Sequence, residues 1–452
     1  MTSAFIYLGV MIAVILIWFT VLKRPIYEAT LVSFLVLTIV SGNLTNIWNY
    51  IYSGLSTSLL YSMTVFVAMS IILTKTKIID GAIEIILALL GRVPGGAGYV
   101  AVIASSFMGA LSGSGPGNVM ATGSITIPAM KKSGFSDELA ANITSSASCL
   151  GNMIPPSSTI VAALGLLTGL YPDMNISTGQ FWIVCWGCSL WFILLRLIMV
   201  FIFCKHDKVK PMAKEDIPPL KTVFKEGWRG ILLPIIIFVP FLLDYLFKDG
   251  FFTERLGAEG AKYMSSSLLY FIAGLATIYA MIVIKDKKQM TPNRIARTFA
   301  DTLKSIVPTI AICLFGYMFG SLFNDLDIAS GIQAGIETLN VGKLGLCIVV
   351  PLLTCVLGIA IVGSSMVVVF GGVFITMFAA VGVEPLLIAA MLPCICGVMS
   401  NMVPPIAPAF LAGVSLADAD FGKAVRNDLW WIVTQYLLEI VVLLGLLPII
   451  GM

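Results

Sequence analysis

Charge is scarce in this sequence. Asp, Glu, Lys and Arg make up 11% of its 452 residues, against 58% hydrophobic types. A soluble domain carries about 25% charged residues, so the composition excludes one. Histidine is nearly missing: the single one, His206, sits in a polar stretch. That leaves no histidine base for a serine nucleophile and no imidazole set for zinc. Nine cysteines are present, mostly in apolar segments, and Cys185-x-x-Cys188 and Cys394-x-Cys396 have metal-like spacings. No histidine or further cysteine accompanies either pair, so they read as small buried hydrophobes, not a metal centre. The net charge of +3 reflects loop lysines and argues for no nucleic-acid partner. Low-complexity linkers, heptads and a separate soluble domain are all lacking.

What the chain does have is apolar runs of roughly 20 residues, the length that spans a bilayer, so membrane lipid is its surroundings. Residues 4–22 have no basic residue before them and Lys23-Arg24 after them. This is the reverse of a secretory signal and predicts a first span entering from outside. Short cytoplasmic loops collect Lys and Arg, which fixes the remaining sides. Spans near 27–41 and 57–74 follow, then an amphipathic segment at 79–92. The run 97–111 enters from inside and must return before Lys131-Lys132. The stretch 205–229 holds seven basic residues and is inside. Spans 230–248 and 264–284 lead to a second inside loop with Lys285, Lys287 and Lys288. Span 303–321 then ends outside at Asn324-Asp325, so the run 343–361 enters from the opposite face. A last span, near 429–450, places both termini outside.

The chain also repeats itself. Gly113-Ser114-Gly115-Pro116-Gly117-Asn118 precedes an apolar run and then Asn152-Met153-Ile154-Pro155-Pro156-Ser157. Gly363-Ser364-Ser365 precedes another, then Asn401-Met402-Val403-Pro404-Pro405-Ile406. Ser114 to Ser364 is an offset of 250 residues and Asn152 to Asn401 one of 249. Each copy carries a midpoint glycine, Gly134 or Gly382. Neither Pro-Pro nor a Gly/Ser-rich run sustains a helix. Backbone freed at membrane depth is tolerated only where protein covers it or a polar cavity meets it. Matched interruptions in two halves point to the binding site of a transporter. The sequence thus predicts an all-α polytopic membrane protein. It would contain inverted-topology repeats with two re-entrant helical hairpins and discontinuous helices.

Neutral oxygens gather at the breaks: Ser112, Ser114, Asn118 and Thr122, then Thr144, Ser145 and Asn152, and in the second copy Ser364, Ser365, Ser400 and Asn401. No carboxylate lies in either hairpin core or beside either Pro-Pro. A proton-coupled carrier needs an ionisable group in its path; a small hard cation needs only oxygens. Two Na⁺ sites are therefore expected, with Ser112, Ser114, Asn152, Ser364 and Asn401 as ligands. Ser114, Asn118, Thr122, Ser364 and Ser365 are the candidate substrate-binding residues. Any one such residue ordinarily bonds its own backbone or a neighbouring helix; recurrence singles out Ser114, Asn152, Ser364 and Asn401. Asp244 and Glu439 are assigned structural roles, and Arg196 is expected to snorkel to the surface. Gly363-Ser364-Ser365 has the shape of an intramembrane serine hydrolase, but no base lies at that depth, so no catalytic residue is assigned and the protein is not read as an enzyme.

The run from Gly113 through Lys132, with Ile154-Pro155-Pro156-Ser157, resembles the first hairpin and broken helix of the large membrane subunit of tripartite ATP-independent periplasmic (TRAP) transporters. Gly397 to Pro405 resembles the branch served by TAXI-type binding proteins. Val403 stands where that family commonly has Thr. The resemblance implies an elevator-type, Na⁺-coupled importer of a small organic acid in the bacterial or archaeal inner membrane. A periplasmic binding protein would deliver the substrate and a small four-helix membrane subunit would brace the scaffold. It implies transport repeats at 80–170 and 325–415. Scaffold helices would lie at 1–79, 171–324, which holds the cytoplasmic loops, and 416–452. A stand-alone organic-anion carrier of the broader ion-transporter group is the alternative.

Overall fold

The computed structural model describes residues 2–76, 78–112, 115–284, 291–339, 341–358, 363–403 and 407–452. Among them every regular element is helical. The order is α1 (Thr2–Leu16), α2 (Ile26–Val40), α3 (Ile47–Ser56), α4 (Ser58–Thr76), α5 (Asp80–Leu90), α6 (Gly96–Ser112), α7 (Gly115–Lys132) and α8 (Asp137–Cys149). Then come α9 (Ser158–Leu170), α10 (Thr178–His206), α11 (Leu220–Phe247), α12 (Thr253–Val283), α13 (Pro292–Asp325) and α14 (Ile328–Leu339). The last six are α15 (Lys343–Gly358), α16 (Gly363–Ala380), α17 (Pro385–Leu392), α18 (Met399–Met402), α19 (Pro408–Ala417) and α20 (Phe421–Leu443).

Local chemistry sets several of these ends. Ser136, Ser157, Ser177 and Asp420 each precede a helix and accept a backbone N–H three residues on. These are the N-caps of α8, α9, α10 and α20. The two midpoint glycines perform the same turn. Gly134 has φ 92° and Gly382 φ 79°. In one, Phe135 N–H donates to Met130 O at 3.1 Å; in the other, Val383 N–H donates to Phe378 O at 3.0 Å. Both are C-terminal caps closed by a left-handed residue, which favours glycine.

The two broken helices form the centre. In the most apolar stretch of residues 137–170, 78% is buried, and in that of 385–402, 94%. The corresponding share is 28% for α11 and 25% for the span within α12, so those two stand at the periphery. α11 lies against α5 so closely that a Cβ on Gly81 would sit 2.6 Å from the Gly227 Cα. Elsewhere, α3 is fastened to α13 by Tyr50 Oη donating to Asp325 at 2.6 Å and by Ser53 and Ser321, 2.7 Å apart.

Three expectations need correction. Residues 328–339 form a helix, α14, at the position in the second copy that α5 holds in the first; at 12 residues it is too short to show as a membrane span. α20 starts and ends earlier than 429–450, because Asp420 caps it and residues 444–452 turn back onto α10. There Trp191 Nε1 donates to Pro448 O at 3.0 Å. Arg196 does not snorkel: it is 0% exposed.

Gly134→Ala and Gly382→Ala should each lower the thermal midpoint of the purified protein. A Cβ at either residue would meet no atom within 4 Å. The cost is therefore that of a left-handed L-residue alone, roughly 1–2 kcal/mol. Gly169→Ala, in a helix with equally open space, should change it little.

Candidate functional site

Each broken helix unwinds before its proline pair. α8 ends at Cys149, passes through one tight turn at Leu150–Met153, extends at Ile154 and crosses a cis Pro155-Pro156 bond before α9. α17 gives way to a wide π-type turn at Pro393–Val398, then α18, then extended backbone at Val403. Pro404, Pro405 and Ile406 lie outside the described residues. π-Turns of this kind concentrate at functional sites because they displace a carbonyl from the helical ladder.

The two unwound stretches touch. Asn152 Nδ2 donates to Cys149 O at 3.1 Å and to Gly397 O at 3.4 Å, and Asn401 Nδ2 donates to the same Gly397 O at 2.7 Å. The repeat-related asparagines thus converge on one carbonyl, and each amide keeps its oxygen as an acceptor. Asn152 O in turn accepts from Ser157 Oγ (2.7 Å) and Thr159 Oγ1, and those hydroxyls lie 3.0 Å apart. Three neutral oxygens are thereby packed together at the first break.

Glycines let the hairpin arms approach this centre. A Cβ on Gly151 would come 2.2 Å from the Gly109 Cα, so α6 and the first unwound turn meet backbone to backbone. The second copy repeats the contact: a Cβ on Gly358 would lie 2.9 Å from the Ser400 Cα. Both pairs carry the offset of 249 residues. The hairpin ends reach one short stretch. Gly115, opening α7, faces Asn401 Oδ1, and Gly363, opening α16, faces Gly397 and Ser400.

Of the predicted residues, Asn152 and Asn401 are brought together. Asn118 and Thr122 are wholly buried between helices. Asn118 Nδ2 donates to Ser105 O (2.7 Å) and Ser148 O (3.2 Å), and Thr122 Oγ1 lies 2.9 Å from Ser105 Oγ. These bonds tie α7 to α6 through Ser105 and to α8 through Ser148. Ser365 is buried at the start of α16. Ser114 and the side chains of Ser112 and Ser364 lie outside the described residues. Thr144 Oγ1 and Asn118 Oδ1 are buried with no partner, and Ser145 and Ser400 donate to Asn142 O and Gly397 O.

Sequence reasoning missed Ser105, Ser157, Thr159 and Thr354. Thr354 Oγ1 donates to Ile395 O at 2.9 Å, tying α15 to the π-turn. Ser105 and Thr354 share the 249-residue offset, so comparing the two halves position by position would have found them. A cavity of about 320 Å³ also opens between α9, α13 and α16, lined by Gly165, Thr168, Tyr317, Asn324, Val368 and Gly372 among others.

The donor set is neutral oxygen throughout the described part of the breaks. Among the described residues, no group of three or more His, Cys, Asp or Glu side chains is placed to hold a metal. Carbonyls, hydroxyls and amide oxygens suit a small hard cation.

The family model of the tripartite ATP-independent periplasmic transporter, DctM component, matches residues 1–450. The chain is 24% identical over 393 residues to the C4-dicarboxylate TRAP transporter large permease protein DctM of Vibrio cholerae, covering 85% of this chain and 83% of that one. It is 21% identical over 382 residues to the sialic acid TRAP transporter large permease protein SiaM of the same species, covering 83% and 82%. Among solved structures, Neisseria gonorrhoeae MtrF, described with a class of antimetabolite efflux pumps, superposes with a TM-score of 0.66 at 14% identity, covering 90% of this chain and 85% of that one. At that identity the likeness concerns the fold.

The close contacts rank three substitutions. Gly151→Ala and Gly363→Ala place a methyl 2.2 Å and 2.4 Å from backbone, and overpacking of this kind costs about 1–3 kcal/mol. Gly397→Ala has the Asn152 side chain as its nearest neighbour, at 3.2 Å or more, and should be milder. Thermal unfolding in detergent should give that order.

Proposed function

The chain belongs to the DctM component family of tripartite ATP-independent periplasmic transporters, and from this premise we propose that it is the Na⁺-driven permease of an importer of a small organic acid. Family membership makes it a multi-pass membrane permease and not an enzyme. The observation that carries the Na⁺ reading is the convergence of Asn152 and Asn401 on Gly397 O in a wholly neutral oxygen setting.

The name of the family describes three parts, and the other two are a small four-helix membrane subunit and a periplasmic binding protein. The cargoes that name two of the relatives, C4-dicarboxylates and sialic acid, are both carboxylates; this supports an organic acid here. Amide groups opening α7, α16, α9 and α19 supply the complement for its negative charge. The membrane is the inner membrane, with both termini outside and the two hairpins re-entrant from opposite faces.

Ion and substrate favour each other when each binds better in the presence of the other. Two Na⁺ at the breaks would order the Gly/Ser tips carrying Ser112, Ser114, Ser364 and Ser365, and the ordered tips would enclose the acid. The moving body comprises 80–170 and 325–415. The scaffold helix α20 meets this body where Asn142 donates to Ala424 O and Asp428, and Gln435 to Cys394. The result is an elevator carrying its cargo past α3, α4 and α13.

Proteoliposomes holding this chain with its small subunit and loaded binding protein should take up substrate under an inward Na⁺ gradient alone. Uptake driven by a proton gradient without Na⁺ would overturn the ion assignment, and uptake without binding protein would favour a stand-alone carrier. Binding of ligand to the folded state raises its stability with ligand concentration. NaCl in place of choline chloride should therefore raise the thermal midpoint of the wild type, and Asn152→Ala or Asn401→Ala should need about tenfold more Na⁺ for the same rise, a loss of about 1.4 kcal/mol.

A further inference from the structure

A second polar site lies behind the breaks, built from charged residues that transport as described above does not use. Arg196 on α10 and Glu439 on α20 are 0% exposed, and Asp428 on α20 is 1% exposed. Asp428, Gln435 and Glu439 stand at intervals of seven and four residues, on one face of α20. That face looks at both broken helices. Asp428 Oδ1 accepts from Asn142 Nδ2 of α8 at 3.2 Å. Glu439 Oε1 accepts from Gln435 Nε2 at 2.8 Å and from Cys394 Sγ of the π-turn at 3.3 Å. Arg196 lies against the second broken helix, with Nη2 3.5 Å from Met402 Sδ, next in sequence to Asn401.

The cluster is unbalanced in two ways. Arg196 Nε and Nη1, Asn142 Oδ1, Asp428 Oδ2, Gln435 Oε1 and Glu439 Oε2 are all buried with no hydrogen-bond partner. Among the described residues, no ion pair joins Arg196 to either carboxylate, although its charge is felt by both. In charge, two carboxylates face one guanidinium. The other titratable groups around them are thiols and a phenol: Cys149 from α8, Cys355 from α15, Cys394 and Cys396 from the π-turn and Tyr436 on α20. Lys343 of α15 is turned to Leu444 O and supplies no balance. Fully ionised, the cluster would bury one uncompensated negative charge in the bilayer interior, which is expensive in any estimate.

We propose that the Arg196–Asp428–Glu439 cluster is a proton-binding site, holding one proton from the medium on one of its two carboxylates while the other stays ionised opposite Arg196. One proton makes the site neutral; a second would leave the guanidinium uncompensated. The proton adds a donor where acceptors outnumber donors. Asp428 is bonded to the first broken helix and Glu439 to the second, so the proton's position decides which of them is tied to a charged group.

Infrared difference spectra of the purified full-length chain at neutral pH test this without substrate, Na⁺ or partner subunits, so the outcome is independent of the transport reading. Wild type should show a protonated carboxylic C=O band that shifts in D₂O. Asp428→Asn and Glu439→Gln should each abolish it, because the remaining carboxylate then pairs with Arg196. Arg196→Gln should roughly double it, since two carboxyls without a cation both keep protons. Where a carboxyl variant fails to fold, the wild type and Arg196→Gln decide. A wild type with no such band, a band that survives both carboxyl substitutions, or no gain in Arg196→Gln would overturn the proposal.

Discussion

Backbone that leaves a helix inside a membrane must find its hydrogen bonds elsewhere in the protein. Each unsatisfied amide or carbonyl in hydrocarbon costs several kcal/mol, a large fraction of the net stability of a domain. This chain leaves its helices at both breaks, and the structure around them supplies the missing partners. Gly397 O, set loose by the π-turn, receives two asparagine amides. Asn152 O, at the end of the first turn, receives two hydroxyls. Ile395 O receives Thr354. The serines, threonines and asparagines of the centre are thus first a means of keeping irregular backbone in the bilayer.

The same constraint sets the spacing of the helices. Short polar side chains reach a displaced carbonyl only when the helix bearing them lies very close. Glycine supplies that approach at Gly109 against Gly151 and at Gly358 against Ser400. Small residues are the usual means of helix packing in membranes, where no hydrophobic drive holds one apolar helix to another. That both contacts recur at the same offset indicates that the repeat preserves contacts as well as residues.

Neutral and charged chemistry are kept apart. Oxygens without charge occupy the breaks, whereas Arg196, Asp428 and Glu439 sit behind them, each bonded to or facing a broken helix rather than lining its opening. A charge at the breaks would dominate any weak cation site there. Placed behind, it acts on the breaks only through the positions of α8 and the π-turn.

Much of this was legible in the residues alone. Apolar runs of bilayer length, the basic loops, the Pro-Pro breaks and the paired glycines each follow from local sterics or solvation, and these depend on neighbours in sequence. The midpoint turns at Gly134 and Gly382 show it directly, as does the pairing of Asn152 with Asn401 as equivalents. Tertiary structure alone decided that these two asparagines share a carbonyl, that Asn118 and Thr122 turn into the α6–α7 packing, and that Arg196 is buried against Met402, far along the chain. Those are contacts between residues tens to hundreds of positions apart. No periodicity encodes them; they arise only once close-packed helices decide which polar groups can reach one another.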